Sequence, residues 1–301
     1  MQAWSSPSGE QVDLSRGEQT AVVVGVGGGL RTYSVGDRAV LDGYGVEEMC
    51  SSGRGQVLAP WPNRIEDGSY EFDGRVHQLP LDEPEHGNAI HGLVRWSQWS
   101  IAERETDHVA LEHRLHPRPG YPFALALRVE YSLAENGLRV RMEARNVGPQ
   151  PCPYGIGSHP YLAAGDDVVD GLELRVPSRT VLLADERGIP SGRETVEGTE
   201  LDFLEPKPIG PAKLDHCFTD LERDADGRAR VRVGDAATLW VNESFPYLMV
   251  FTGDPLRDVA RRSLAVEPMT CAPNAFRSGE GLIRLQPGQD HAGEWGISPS
   301  G

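Results

Sequence analysis

The segment Phe123 to Leu133, "FALALRVEYSL", constrains the fold of this chain more than any other stretch. Phe123, Leu125, Leu127, Val129, Tyr131 and Leu133 fall on one side of an extended backbone, with Arg128, Glu130 and Ser132 on the other. A period of two marks a half-buried strand, because successive side chains point to opposite faces of a sheet. The continuation "AENGLRVRMEARN" places Asn136-Gly137 before a second alternating run, Leu138, Val140, Met142 and Ala144. Asn-Gly between two such runs is the strongest short-range hairpin signal.

Similar strands are read at "DGSYEFDGRVHQLPL", "HVALEHRLH", "GLELRVP", "ARVRVG", "ATLWVN", "YLMVFTGD" and "SLAVEP", with Asp-Gly turns at Asp67-Gly68, Asp73-Gly74 and Asp226-Gly227. Helical periodicity is scarce, and 35 glycines and 23 prolines punctuate many short strands. The expected fold class is all-β, a large antiparallel β-sandwich. A propeller is disfavoured because no fixed repeat period recurs. The stretch 184–211 carries few strand signals and is expected to cross the surface near a functional edge. No linker divides the chain, so residues 1–301 are expected to form a single domain.

A formal net charge of -16 argues against nucleic-acid or anionic-membrane partners, which need a basic face. The N-terminal "MQAWSSPSGEQVDLS" has neither a basic nor an apolar targeting segment, and no apolar run approaches a membrane span; the expectation is a cytoplasmic protein. Cys50, Cys152, Cys217 and Cys271 are widely separated, which predicts buried, reduced thiols.

Several segments combine polar chemistry with restrictive backbone. In "LAPWPNRIEDG", Pro60 and Pro62 stiffen the approach to Asn63 and Arg64. Arg64 is either a loop-holding arginine or a fork of donors aimed at ligand oxygens. In "HGNAIHGLVRWSQW", His86 and His91 lie beside glycines, with no third ligand at a familiar spacing, so no metal site is expected. Gly92 allows close backbone approach next to His91, and Trp96 and Trp99 are expected in the core. In "PYGIGSHPYL", Pro160 restricts His159 to extended geometry; an isolated histidine of this kind is more often structural than functional. In "RSLAVEPMT", Glu267 ends an apolar run ahead of Pro268, and a carboxylate at the end of a buried strand is costly unless paired or working. "KLDHCFTDL" offers Asp215, as an acceptor for ligand hydroxyls or as an Asx-turn residue. No GxSxG elbow or phosphate-binding loop is present, and "GVGGGL" lacks the helix such a loop needs.

In their order, "PWPNRIEDGSYEFDG", "NAIHG", "GIGSHPYL", "LDHCFTDL" and "LAVEPMT" resemble the aldose 1-epimerase family, the galactose mutarotase-like proteins. The resemblance implies a large antiparallel supersandwich with an open carbohydrate groove, no cofactor, and interconversion of the α and β anomers of an aldose. By position it makes Glu267 the general base and His159 the general acid, with Asn63, Arg64, His91 and Asp215 binding the substrate. Such a reaction calls for one base and one acid on opposite sides of a sugar, and unperturbed pKa values of about 4.3 and 6.5 suit the pair. His159-Pro160-Tyr161-Leu162 stands where many sugar mutarotases read His-Thr-Tyr-Phe-Asn, and resembles a bacterial branch that includes proteins associated with sulfosugar use. The sugar, neutral aldohexose or anionic, is left open, with Arg64, Arg95 or Arg277 as the cations an anion would need. Monomer and homodimer are both open. A non-catalytic carbohydrate-binding protein on the same scaffold is the alternative; the presence of both an acid and a base favours the enzyme.

Overall fold

Leu125–Ala134 and Gly137–Asn146 pair antiparallel along their whole length, and burial alternates residue by residue through the first of them. The hairpin turns one residue earlier than the Asn-Gly signal suggests: Ala134 pairs with Gly137, so Glu135 and Asn136 form the loop and Gly137 opens the second strand at φ 124°. A side chain at Gly137 would also meet the Ile297 carbonyl oxygen at 2.1 Å. Glycine is therefore required there both by its positive φ and by the neighbouring strand.

The computed structural model describes residues 6–165, 168–235 and 237–299. The hairpin sits inside a nine-stranded sheet, ordered Ser100–Arg104, His108–Leu115, Leu125–Ala134, Gly137–Asn146, Asp290–Pro299, Ala237–Val241, Ala229–Val233, Glu173–Arg175 and Lys207–Pro208. An eight-stranded sheet runs Pro190–Thr195, Ser178–Ala184, Asp215–Leu221, Tyr247–Phe251, Ser263–Met269, Gly157–Ser158 and Val57–Leu58, with Tyr161–Ala163 also paired to Ser263–Met269. Leu127, Val129, Tyr131, Val140 and Met142 of the first sheet join Phe218, Leu248, Val250, Leu264 and Val266 of the second in one apolar core. The fold is the expected antiparallel β-sandwich; among the described residues Ala275–Ser278 is the sole α-helix. No helix among them is long and apolar enough to cross a membrane.

Two departures stand out. Gln11–Arg16, Gln19–Val24, Leu30–Val35 and Arg38–Ala39 form a further four-stranded sheet, which short runs broken by glycine did not announce. Within it "GVGGGL" is a packing device: a Cβ at Gly28 would lie 2.8 Å from the Trp99 indole. Trp99 is buried as expected, but Trp96 is 52% exposed, because it falls in a turn rather than a strand. The stretch 184–211 contains edge strands Pro190–Thr195 and Lys207–Pro208, one on each large sheet. All four cysteines are buried and unpaired.

Candidate active site

Ser263–Met269 is the strand that organises the site. Gly157 pairs with its Met269 and Tyr161 with its Ala265. The chain between, carrying His159, therefore passes directly opposite Glu267. Cross-strand neighbours of this kind bring side chains into contact, and His159 Nε2 lies 3.3 Å from Glu267 Oε1. The strand continues through Pro268, which pairs with Leu248, so Glu267 is interior to the strand and not at its end.

Direct pairing also defines which face Glu267 occupies. Leu182 pairs with Cys217, Cys217 with Met249, and Met249 with Glu267. These four residues form a row across one face of the eight-stranded sheet, and their neighbours Phe218, Leu248, Val250 and Val266 fill the core on the other. Leu182, Cys217 and Met249 line a cavity of about 430 Å³, together with Arg64 and Asp215. Glu267 and His159 continue the row beside that cavity and are themselves buried.

His91 completes the cluster. One ring nitrogen of each histidine and a Glu267 oxygen all lie within 4.8 Å of one another, and the His91 and His159 rings are 5.3 Å apart between centroids. His91 has φ 60°. Gly92 beside it packs so closely on the preceding loop that a Cβ would meet the Ala59 carbonyl oxygen at 2.1 Å, the close approach anticipated from the sequence. The Asn63 backbone N–H donates to His91 Nδ1 at 3.2 Å, and His91 N–H donates back to the Asn63 carbonyl at 2.9 Å. With Nδ1 accepting, neutral His91 carries its proton on Nε2. Asn63 Oδ1 accepts from the Arg64 backbone N–H, so Asn63 acts on its own loop and on His91.

Arg64 differs from the expectation of a free fork. Its Nε and Nη2 hold both oxygens of Glu83 at 2.9–3.1 Å. Its Nη1 lies against Gly188, where a Cβ would stand only 2.5 Å away. Gly188 belongs to the stretch 184–211, which thus does reach the site. Glu83, Gly188 and the Leu182–Cys217–Met249 platform went unread in the sequence, since no local pattern announces a partner more than a strand away. Arg95 and Arg277 also hold carboxylates, Asp82 and Glu66 respectively.

Electrostatics oppose charge on the central pair. Burial, reinforced by the Asp215 carboxylate and partly offset by Arg64, holds the Glu267 carboxyl well above the ordinary range. Burial, with Arg54 and then Arg95 adding, pushes the His159 imidazole down to about 3. Burial and the neighbouring cationic groups likewise keep His91 neutral. Glu267 Oε2 is buried and has no hydrogen-bond partner among the described residues. His159 and Glu267 are thus a buried pair in contact whose surroundings favour the neutral form of each, with His159 Nδ1 and Glu267 Oε2 left without partners among the described residues. The two groups stand side by side, not across a ring's width as the sequence reading expected. One donor atom from each of His91, His159 and Glu267 also falls within a spacing that admits a divalent cation.

A sequence model of the aldose 1-epimerase family matches residues 10–298. The uncharacterized protein YihR of Escherichia coli (strain K12) is 37% identical over 285 residues, covering 94% of this chain and 91% of its own length. The human galactose mutarotase is 29% identical over 164 residues, 52% of this chain and 46% of its own. A solved aldose epimerase homologue from C. elegans superposes with a TM-score of 0.86 at 17% identity, covering 97% of this chain and 98% of that one. On these matches the chain belongs to the aldose 1-epimerase family of isomerases.

Proposed function

We propose that the protein is a mutarotase interconverting the α and β anomers of an aldohexose or related sugar, with Glu267 as the general base and His159 as the general acid. The observation that carries this reading is the contact of His159 Nε2 with Glu267 Oε1, beside an uncommitted Glu267 Oε2. Ring opening of a hemiacetal removes the proton from the C1 hydroxyl and adds one to the ring oxygen. Both oxygens are bonded to the same carbon, so an acid and a base that stand side by side can serve them together.

The pair carries one proton between its two members. In its ion-pair form the Glu267 carboxylate takes the C1 hydroxyl proton while the His159 imidazolium protonates the ring oxygen. The C1–O5 bond breaks, and the free aldehyde leaves behind a protonated Glu267 and a neutral His159. After rotation about C1–C2, His159 takes the O5 hydroxyl proton as O5 attacks either face of the aldehyde, and Glu267 returns a proton to the carbonyl oxygen. The pair ends as it began, with no nucleophile and no net proton change. Raising the Glu267 pKa makes its carboxylate a better base, and lowering that of His159 makes its imidazolium a better acid. His91, a fixed Nε2–H donor, stabilises charge on the ring oxygen, and Asp215 accepts neighbouring hydroxyls, with Arg64 Nη1 donating beside it.

The test is anomer exchange, followed by polarimetry or by NMR, over a panel of freshly dissolved neutral and anionic aldoses. Acceleration of at least one sugar that is lost in Glu267→Gln supports the reading. Sugar binding without acceleration of any of them returns the protein to the carbohydrate-binding class.

A further inference from the structure

Behind His159, away from the sugar cavity, lies a buried cation that the proposed chemistry does not use. Arg54 is 4% exposed. Its Nη1 donates to the Asp42 carboxylate at 2.7 Å and to the Asp42 carbonyl at 2.9 Å, while its Nη2 is buried with no acceptor among the described residues. The guanidinium carbon instead stands 4.1 Å from the centroid of the Tyr161 ring, a cation–π contact that partly offsets the desolvation of that end. Tyr161 in turn lies parallel to the His159 imidazole, with centroids 4.8 Å apart and planes 8° from coplanar. His159 and Tyr161 are two residues apart in extended chain and so project to the same side.

Each layer is held by independent bonds. The Tyr161 hydroxyl donates to the Ser52 carbonyl, and its own carbonyl accepts from the Asp42 N–H. The Gly55 N–H donates to the His159 carbonyl, and Gly53 is so close that a Cβ would be 3.0 Å from His159 Cδ2. Asp42, which also receives Arg262 and Ser263, anchors the cation. The segment 51–55 thus grips both the imidazole and the ring stacked on it.

We propose that Arg54 is a positioning residue for the general acid: through the Tyr161 ring it fixes the plane of the His159 imidazole. The proposal rests on His159 being the acid of the epimerase reaction. The charged and titratable groups that face His159 are Glu267, His91, Tyr161, Arg54 and Arg95, with Asp215 and Arg64 acting on it through Glu267. Of these, Arg54 is the one bonded to the stacked ring and placed outside the sugar cavity.

The experiment compares Arg54→Met, Arg54→Lys, Tyr161→Leu and the double variant Arg54→Met/Tyr161→Leu, each checked for folding by circular dichroism, in pH profiles of anomer exchange. Arg54→Met is expected to lower kcat about 10- to 100-fold with KM within about 2-fold, and to move the pH profile upward by about 0.5–1 unit, the sign for removing a nearby cation. Arg54→Lys keeps the charge without the flat face: it retains the wild-type profile but loses part of kcat. The double variant should lose no more than the worse single variant, since one residue acts through the other. Fully additive losses, or a wild-type profile in both folded Arg54 variants, overturn the proposal. Failure of the wild-type protein to accelerate any sugar overturns the acid–base reading itself, and the two failures are distinct.

Discussion

His159 lies between two short strands, Gly157–Ser158 and Tyr161–Ala163, that both pair with the strand carrying Glu267, and the two side chains meet at 3.3 Å between Nε2 and Oε1. Register, rather than a flexible loop, sets this contact, because the pairings of Gly157 with Met269 and of Tyr161 with Ala265 bracket it from both sides. A one-residue slip would turn one of the two away.

The proposed mechanism makes the two groups one proton-sharing unit, so their losses should not add. Glu267→Gln and His159→Asn are each expected to lower kcat about 10²- to 10⁴-fold. The double variant should fall little below the worse single one. Polarimetric rates for the three proteins decide this, and additive losses in log kcat contradict a shared-proton pair.

The pH profile follows from the directions of the two shifts. The His159 imidazole is pushed to about 3, and the Glu267 carboxyl well above its ordinary range. The pair therefore gains a second proton only in strong acid and loses its one proton on the alkaline side of the usual carboxylate range. Activity should not fall as pH drops through about 6.5, the ordinary histidine value. Asp215→Asn removes a negative charge that raises the Glu267 pKa, so its alkaline limb should move to lower pH. A loss of activity on the acid side with a wild-type midpoint near 6.5, or an upward shift in Asp215→Asn, contradicts the electrostatic reading.

Arg64 and Glu83 form a bidentate pair with side chains 16% and 11% exposed. Arg64, together with the Asn88 amide, holds the Glu83 carboxyl below its ordinary value despite the opposing effect of burial. The folded-state pKa is thus lower than the unfolded one, so this contribution to stability is present above about pH 4.3 and is lost as pH falls through the folded value. Glu83→Gln should cost about 1–3 kcal/mol at pH 7 by leaving Arg64 unpaired. Chemical denaturation over a pH series below 7 measures this: the gap between variant and wild type should narrow as pH falls below about 4.3, and a gap that stays constant through the acid range refutes the assignment.

Gly92→Ala would place a methyl group 2.1 Å from the Ala59 carbonyl oxygen at a residue with φ 75°. The clash is with backbone and cannot be relieved by a rotamer change. A loss of stability above about 3 kcal/mol is expected from strain of this kind. Thermal unfolding would show it, and a melting temperature within a few degrees of wild type would mean the loop yields more easily than its packing implies.

Chelation separates the acid–base reading of His91, His159 and Glu267 from a metal centre built on the same atoms. Dialysis against EDTA should leave kcat unchanged, and added zinc should compete with sugar at the cluster because its donors lie within 4.8 Å of one another. Loss of turnover on chelation, restored by one divalent ion, would assign the cluster to metal catalysis.

The sequence by itself determined the class of fold and the local backbone constraints beside His159 and His91. Alternation such as that from Phe123 to Leu133 is local, and it specifies strands without their partners. Pro160 and Gly92 likewise announce the geometry of His159 and His91 through their own backbone constraints. The order of five motifs carried the family resemblance. Tertiary structure decided who meets whom. It set His159 beside Glu267, turned Asn63 towards His91, occupied two nitrogens of Arg64 with Glu83, and stacked Tyr161 between the reach of Arg54 and His159. These contacts join segments up to a hundred residues or more apart, and they depend on which strands pair and in which register. That choice is made by burying whole sheet faces against one core, a property of the assembled sandwich that no local window of sequence contains.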